Sequence, residues 1–524
     1  MKIRFILATG LISLLLWQCT SKLKRDLERV EQFQQEAQKL AKQQALLLWF
    51  HGTQGTRMHL SETYRKHQEL FSIPTLQLLV DVIQESRNPG KIRELRYFKN
   101  YLLQKFVEMH TVVWDDSLRD IYDYSTIQEG DQTIYFRQLP YLLSQEPSAQ
   151  RRRRLWRQGA QVVEQMVPLF MEKYRRSRLL ARQLGFPDYT AFVAEVHYFS
   201  PERLLPLAEQ TLQETDSLFR ALQASLTRRL LKQSPESLHP ADYALLLSGQ
   251  EFSEYFPPEY RRTSYNQLLR SLGIDIKKQT GLKIDLENNP AKIYPALCIP
   301  VDIPTDVRIS LKPSGNFQDF LQLFHLLGMA QQYLHTEVNR WAFQHLGPAS
   351  VRKAFGQLFE SVWENPHWMK QTGLLSDPGK THYWEYMAFR KLFFVRHWAR
   401  IYIDGHQIFQ SESPDTLQLQ TFVNSILAFP DYVFEMDWYL IDMNPFMNAA
   451  IQFQAALFKE ALVQHLETNF GRNWFENPKC GKFLKSLWWK GNSLPMTAIL
   501  KKLDFPELNP HYLKISVEQL LSYQ

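Results

Sequence analysis

Cysteine is nearly absent: Cys19, Cys298 and Cys480 are the three in a chain of 524 residues. Three thiols give no disulfide framework, and no Cys-x-x-Cys pair exists to bind a metal or exchange disulfides. Cys298 stands in an apolar run and reads as a small buried hydrophobe; a Cys298–Cys480 bridge in an oxidising compartment is the alternative. A zinc-finger pattern, a helix-turn-helix pattern and a glycine-rich phosphate loop are also missing. That leaves no nucleic acid and no nucleotide in view as partner. The apolar run Phe5 to Trp17 covers 13 positions, short of the roughly 20 residues of a membrane-spanning helix. No internal repeat or low-complexity linker divides the chain.

What is there is apolar and aromatic. With 44% apolar and 13% aromatic residues, the chain can bury a large core and is not disordered. The net charge of +7 suits an anionic envelope surface or acidic ligands and is too diffuse for nucleic acid. Residues 1–19 read as an export signal, with Lys2 and Arg4 before the apolar run. Leu15-Leu16-Trp17-Gln18-Cys19 resembles a bacterial lipoprotein box, in which Cys19 is the lipidated residue and the membrane is reached through its anchor. Gln18 departs from the small residue such a box has there.

The following pattern is helical. Leu27, Val30, Phe33 and Ala37 share a face between Ser21 and Phe50, and further helices are predicted near 74–86, 92–110, 136–145, 201–232, 240–250 and 263–272. Ile121 to Phe136 partly alternates around Glu129-Gly130-Asp131, a hairpin signal. Arg151 to Arg154 opens a helix reaching Leu184, and its arginines read as a solvated face. Ile293 to Pro300 and Val307 to Leu311 read as short strands flanking a proline-containing turn, with Pro295 and Pro300 keeping the first off a central position. Phe317 to Trp341 is predicted as one long helix, followed by helix after helix. The fold class is mostly α with a small β element.

Inside the long helix, His325-Leu326-Leu327-Gly328-Met329 has the outline of His-Glu-x-x-His. Histidines at i and i+4 lie ~40° apart on a helix and reach one zinc, with the Glu as general base. Alone, His325 among apolar residues reads as a packed core histidine. Ordered matches elsewhere add to it: Arg154-Leu155-Trp156, Ala181-Arg182-Gln183-Leu184-Gly185-Phe186-Pro187, Ala296-Leu297-Cys298, Leu346 to Ala354, Leu358-Phe359-Glu360 and Phe470 to Phe475. From about residue 150 to 512 the chain resembles the zinc metallopeptidases of the oligoendopeptidase and thimet-oligopeptidase group, and more distantly angiotensin-converting enzyme. The resemblance implies a two-lobed helical gluzincin-like fold with the small β element beside the zinc helix. The domain would be 20–524, with an N-terminal lobe over about 20–290 and a zinc-helix part over about 291–524.

The resemblance also implies zinc on two histidines and a glutamate, with an open position for water. His325 stands at the first ligand. Met329 stands at the second, and a thioether is a weak donor for zinc. Lys353 stands where the third ligand belongs, and Leu326 replaces the general base. The tyrosine that such enzymes set against the oxyanion has no counterpart between Leu440 and Ala456, where Pro445, Met447 and Ala449 stand. The expectation is a degenerate site with no catalytic residue, no metal and no cofactor. Lys353 either pairs with a carboxylate or peptide terminus, or snorkels to solvent.

Three functions compete. The first is a non-catalytic envelope lipoprotein holding a peptide or protein partner in a peptidase-shaped cleft, with Ile309, Ser310 and Leu311 as the edge strand offering main-chain hydrogen bonds. The second is a structural or assembly lipoprotein with a filled cleft, in which Trp384, Trp398, Trp438, Trp488 and Trp489 are core or interface. The third is an active peptidase with a rearranged site using His335, His345 or His367. Donors for a peptide carboxylate in the cleft would favour the first.

Overall fold

Asparagine, serine and aspartate side chains open several helices of this chain. The computed structural model describes the backbone of residues 2–374, 377–411, 415–427 and 445–523, with side chains from 22 onward except 375–381, 412–414, 416, 423–447 and 524. Helix α1 spans Lys2–Gln54 and turns Val30, Phe33 and Ala37 into the core. Helix α2, Pro89–Tyr124, starts where Asn88 accepts from the Lys91 amide at 3.0 Å and Pro89 sets the first turn. Helix α3, Ala149–Gln183, is capped by Ser148. Helix α4, Tyr189–His197, is capped by Asp188, and helix α5 spans Pro201–Leu226. Then come α6, Gln318–Leu334; α7, Ala349–Glu360; α8, Asp377–Gln410; and α9, Pro445–Phe470. The architecture is mostly helical. Buried apolar side chains from Val30 to Leu520 form one continuous cluster.

The strands are few and short. β1, Thr126–Glu129, and β2, Gln132–Tyr135, pair antiparallel across Gly130-Asp131, with Gly130 at φ 59° as a two-residue hairpin turn requires. The hairpin lies where alternation placed it, although α2 runs on to Tyr124. A second sheet contains β3, Leu282–Asp285; β4, Ala296–Asp302; and β5, Asp306–Leu311, in the order β3-β5-β4. β3 runs parallel to β5 and β4 antiparallel to it. β4 is therefore an edge, as Pro295 and Pro300 demand, whereas β3 was not foreseen. Its four residues carry too little alternation to stand out.

Helix α6 is the centre of the molecule: every residue from Gln318 to Tyr333 is buried. Its apolar side chains point all round, the pattern of a helix with no solvent face. Phe320 and Phe324 meet the Trp363 ring edge-on, at 5.4 and 4.9 Å. Gln318 and Asp319, at its start, have partners, as burial requires. Gln318 Nε2 donates to the Leu247 and Ser248 carbonyls, and Asp319 accepts from the Ser314 and Gly315 amides and from Arg261. The helix ends at Leu334 and does not reach Trp341. The Trp489 carbonyl accepts from the Glu337 and Val338 amides at 2.9 and 3.2 Å, drawing the chain out of the helix.

The arginine run is also more than a solvated face. Arg152 is fully buried, donating to Asp242 Oδ1 at 2.6 and 2.8 Å and to the Glu146 and Pro147 carbonyls. Arg151 and Arg154 both pair with Glu129 of the hairpin, at 2.7 and 3.1 Å.

Candidate functional site

Two glycines on facing helices bring α6 and α7 into contact. A Cβ on Gly328 would lie 2.3 Å from the Phe355 carbonyl oxygen, and one on Gly356 would lie 2.5 Å from His325 Nε2. The His325 ring is thereby laid against the backbone of α7. Its Nδ1 is 3.0 Å from Glu360 Oε2, and Arg390 of α8 donates to Glu360 Oε1 at 2.6 Å. Burial alone would raise the Glu360 pKa, but the Arg390 charge and the His325 hydrogen bond outweigh it and hold the carboxyl at about 2. Beside this triplet, Lys391 lies 2.7 Å from Glu364 and 3.1 Å from Glu460, which also bonds Lys459. Burial works against the Lys391 charge, yet the two carboxylates hold its pKa above the ordinary value. His325, Glu360, Arg390, Glu364, Lys391 and Lys459 border a cavity of about 100 Å³ with Gln357 and Trp398, room for a few waters.

The positions that the peptidase resemblance assigns do not fit zinc. His325 is the one metal donor among them, and its Nδ1 is committed to Glu360. Met329 and Leu326 are fully buried apolar residues. The ammonium of Lys353, 1% exposed, would repel a dication. That burial also removes the snorkelling alternative. Among the described residues no three His, Cys, Asp or Glu side chains group as metal ligands. His335 bonds the Gln331 carbonyl, His367 pairs with Glu476 at 3.0 Å, and burial takes the His345 pKa down to about 3. These histidines serve different parts of the fold.

The strand expectation is corrected. Ile309 and Ser310 lie in the central strand: Ile309 pairs with Ile284 and Cys298, and Ser310 with Asp285 and Leu297, while Leu311 pairs with Ala296. β3 occupies the side that a peptide would need. Cys298 and Cys480 are both buried, and no disulfide joins them to each other. Trp384, Trp398 and Trp488 are core and Trp489 is exposed; Trp438, and the side chains of Cys19, Pro445 and Met447, lie outside the described residues. Among the described residues no helix is long and apolar enough to cross a membrane.

A cleft of about 1890 Å³ opens elsewhere. Its walls are the start of α2, the stretch 186–210, the start of α7, His406 and Gln410 of α8, Gln454 of α9, and the stretch 495–510. Ser350 Oγ donates to Gln454 Oε1 at 3.2 Å, tying α7 to α9 at its lining. Lys99 pairs with Glu195 at 2.9 Å, and Asn100 Nδ2 donates to the Glu195 carbonyl at 2.7 Å, tying α2 to α4. Sequence reasoning missed this cleft. Segments hundreds of residues apart build it, and its one local signal is proline at Pro89, Pro187, Pro201, Pro348, Pro495 and Pro510.

No family model and no curated protein matches the chain.

Proposed function

We propose that this chain is a catalytically inactive relative of the oligoendopeptidase and thimet-oligopeptidase group, built on a two-lobed gluzincin-like fold, that binds a peptide or protein segment. In this reading residues 1–19 direct export, and lipidation at Cys19 tethers the domain 20–524 to a bacterial envelope. The lobes are about 20–290 and 291–524, and zinc is lost. The observation that carries the binding role is the cleft of about 1890 Å³. It exceeds the usual size of small-molecule pockets, which run to roughly 1,000 Å³, and its shape is open enough for a chain segment. The donor chemistry around His325 supports the inactive reading. A Lys at 353, a Met at 329 and a Leu at 326 supply neither the metal site nor the base that hydrolysis by this mechanism needs.

The nearly filled surroundings of His325 favour a second reading, an assembly lipoprotein in which the fold serves as a stable body.

The first test is zinc content. The full chain is purified in mild detergent without chelators and then offered excess zinc. Near-zero stoichiometry and no thermal shift are expected. About one tightly held zinc per chain would overturn the inactive reading and lead to peptidase assays. Peptide binding to the same preparation separates the binding role from the assembly role.

A further inference from the structure

We infer that one water molecule is a fixed ligand of this fold, held behind the cleft wall by Tyr101, Gln104 and His345. The inference goes beyond the peptide-binding reading and holds whether or not the cleft takes a peptide. A cavity of about 20 Å³ lies between α2 and the turn at Leu346-Gly347, with Tyr97, Lys105 and Tyr198 also in its lining. One water needs roughly 10–15 Å³ of such space. Three buried polar atoms belong to the lining residues: Tyr101 Oη, Gln104 Nε2 and His345 Nδ1. None of them bonds a described residue. Tyr101 and Gln104 are 7% exposed and His345 is 6% exposed. Polar groups at that depth are costly to leave unpaired, and a buried water takes two to four polar partners.

Aromatic packing brings the three residues together. Tyr97, Tyr101 and Gln104 follow one another on α2 at steps of four and three residues, so they share a face. The short helix Trp341–His345 lies against that face. Its Trp341 ring meets Tyr101 edge-on at 5.4 Å and its Phe343 ring meets Tyr97 at 5.9 Å, while the His345 ring lies 6.1 Å from Trp341. Gly347, at φ 99°, then turns the chain over Tyr97, whose ring a Cβ there would meet at 2.8 Å.

The lining selects a neutral ligand. Lys105 is its one charged side chain, and Glu108 neutralises it at 2.8 Å. Burial and the Arg352 charge keep the His345 imidazole uncharged. Burial and the Glu108 charge raise the Tyr101 pKa, so its phenol keeps the proton. A neutral imidazole, an amide and a phenol together suit a partner that both donates and accepts, and water does so in the smallest volume. Tyr97 and Tyr198 line both this cavity and the large cleft. Their rings meet edge-on at 5.0 Å and stand between the two. The water thus ties α2 to the segment that leads into Pro348 on the cleft lining.

The test joins a crystal structure of the full chain, at a resolution that shows ordered water, to calorimetric melting of Tyr101→Phe and Gln104→Met in mild detergent. One oxygen within hydrogen-bonding distance of all three atoms is expected. Each substitution should lower the melting temperature by about 1–2 °C in a chain of this length, because it takes a partner from the bound water. The sign is diagnostic. Without the water, each substitution removes an unpaired buried polar group and leaves the melting temperature unchanged or raised. No oxygen shared by the three atoms, or an unchanged or raised melting temperature in either variant, would overturn the inference.

Discussion

His325 Nδ1 lies 3.0 Å from Glu360 Oε2, and this one contact joins the central helix α6 to the end of α7. Arg390 extends it to α8 through the other carboxylate oxygen, at 2.6 Å. A carboxylate that orients a histidine through its second nitrogen is the usual outer partner of a metal-bound imidazole. Here the outer partner is present around a histidine, and Leu326, Met329 and Lys353, at the positions the resemblance assigns, offer no metal chemistry. The pair serves packing: it fixes the ring against Gly356 and neutralises Arg390 in the interior.

Glu360→Ala is expected to destabilise the protein by about 3–5 kcal/mol, because it removes the buried carboxylate that His325 and Arg390 share. Urea unfolding followed by circular dichroism reads this directly. A loss under about 1 kcal/mol would mean that the contact behaves as a surface ion pair.

The same carboxylate sets an acid limb. Its pKa falls from the ordinary 4.5 to about 2 on folding, so its stabilisation is fully present above pH 4.5 and is lost as pH drops through 2. Glu360→Gln cannot titrate there. Its melting temperature should fall less steeply than that of the wild type between those two pH values. Parallel slopes would contradict the assignment.

Gly328→Ala puts a methyl 2.3 Å from the Phe355 carbonyl, a backbone atom. The helices must move apart, at about 1–3 kcal/mol for overpacking of this kind. Thermal unfolding of the variant checks it.

Asp242→Ala should cost about 3–5 kcal/mol, since Arg152 is fully buried and donates to Asp242 twice. Replacing both partners by apolar residues should recover much of that loss. Chemical denaturation of the single and double variants measures both.

A gain of function tests the peptidase resemblance. The triple variant Leu326→Glu, Met329→His, Lys353→Glu restores the ligand and base types at the positions assigned to them, and is expected to hold stoichiometric zinc by atomic absorption. A folded triple variant without zinc would mean that the three positions do not converge on His325.

The helices were legible because their signals are local. Val30, Phe33 and Ala37 mark a buried face by their spacing, and the run from Arg151 marks the helix reaching Leu184; the caps at Asn88, Ser148 and Asp188, and the helix Tyr189–His197, emerge only in the structure. The hairpin at Gly130 and the edge position of β4 followed from glycine and proline geometry in the same way. Tertiary contacts set what was missed. β3 forms because β5 offers it a parallel partner, and α6 stops because the Trp489 carbonyl takes two of the next amides. At the candidate site, His325 and its apolar replacements could be read from spacing. Glu360 could not be assigned to the ring, because 35 residues separate it from His325 and the pairing depends on how α7 crosses α6.

The full burial of α6 has a kinetic meaning. Amide protons along Gln322 to Leu334 sit in helical hydrogen bonds with no solvent-facing side to fray, so their exchange with deuterium must wait for opening of the whole core. In this chain the helix carrying His325 is thus among the last to yield its protons. Any partner that grips the cleft walls and steadies the fold would be registered there as a slowing of exchange, far from where it touches.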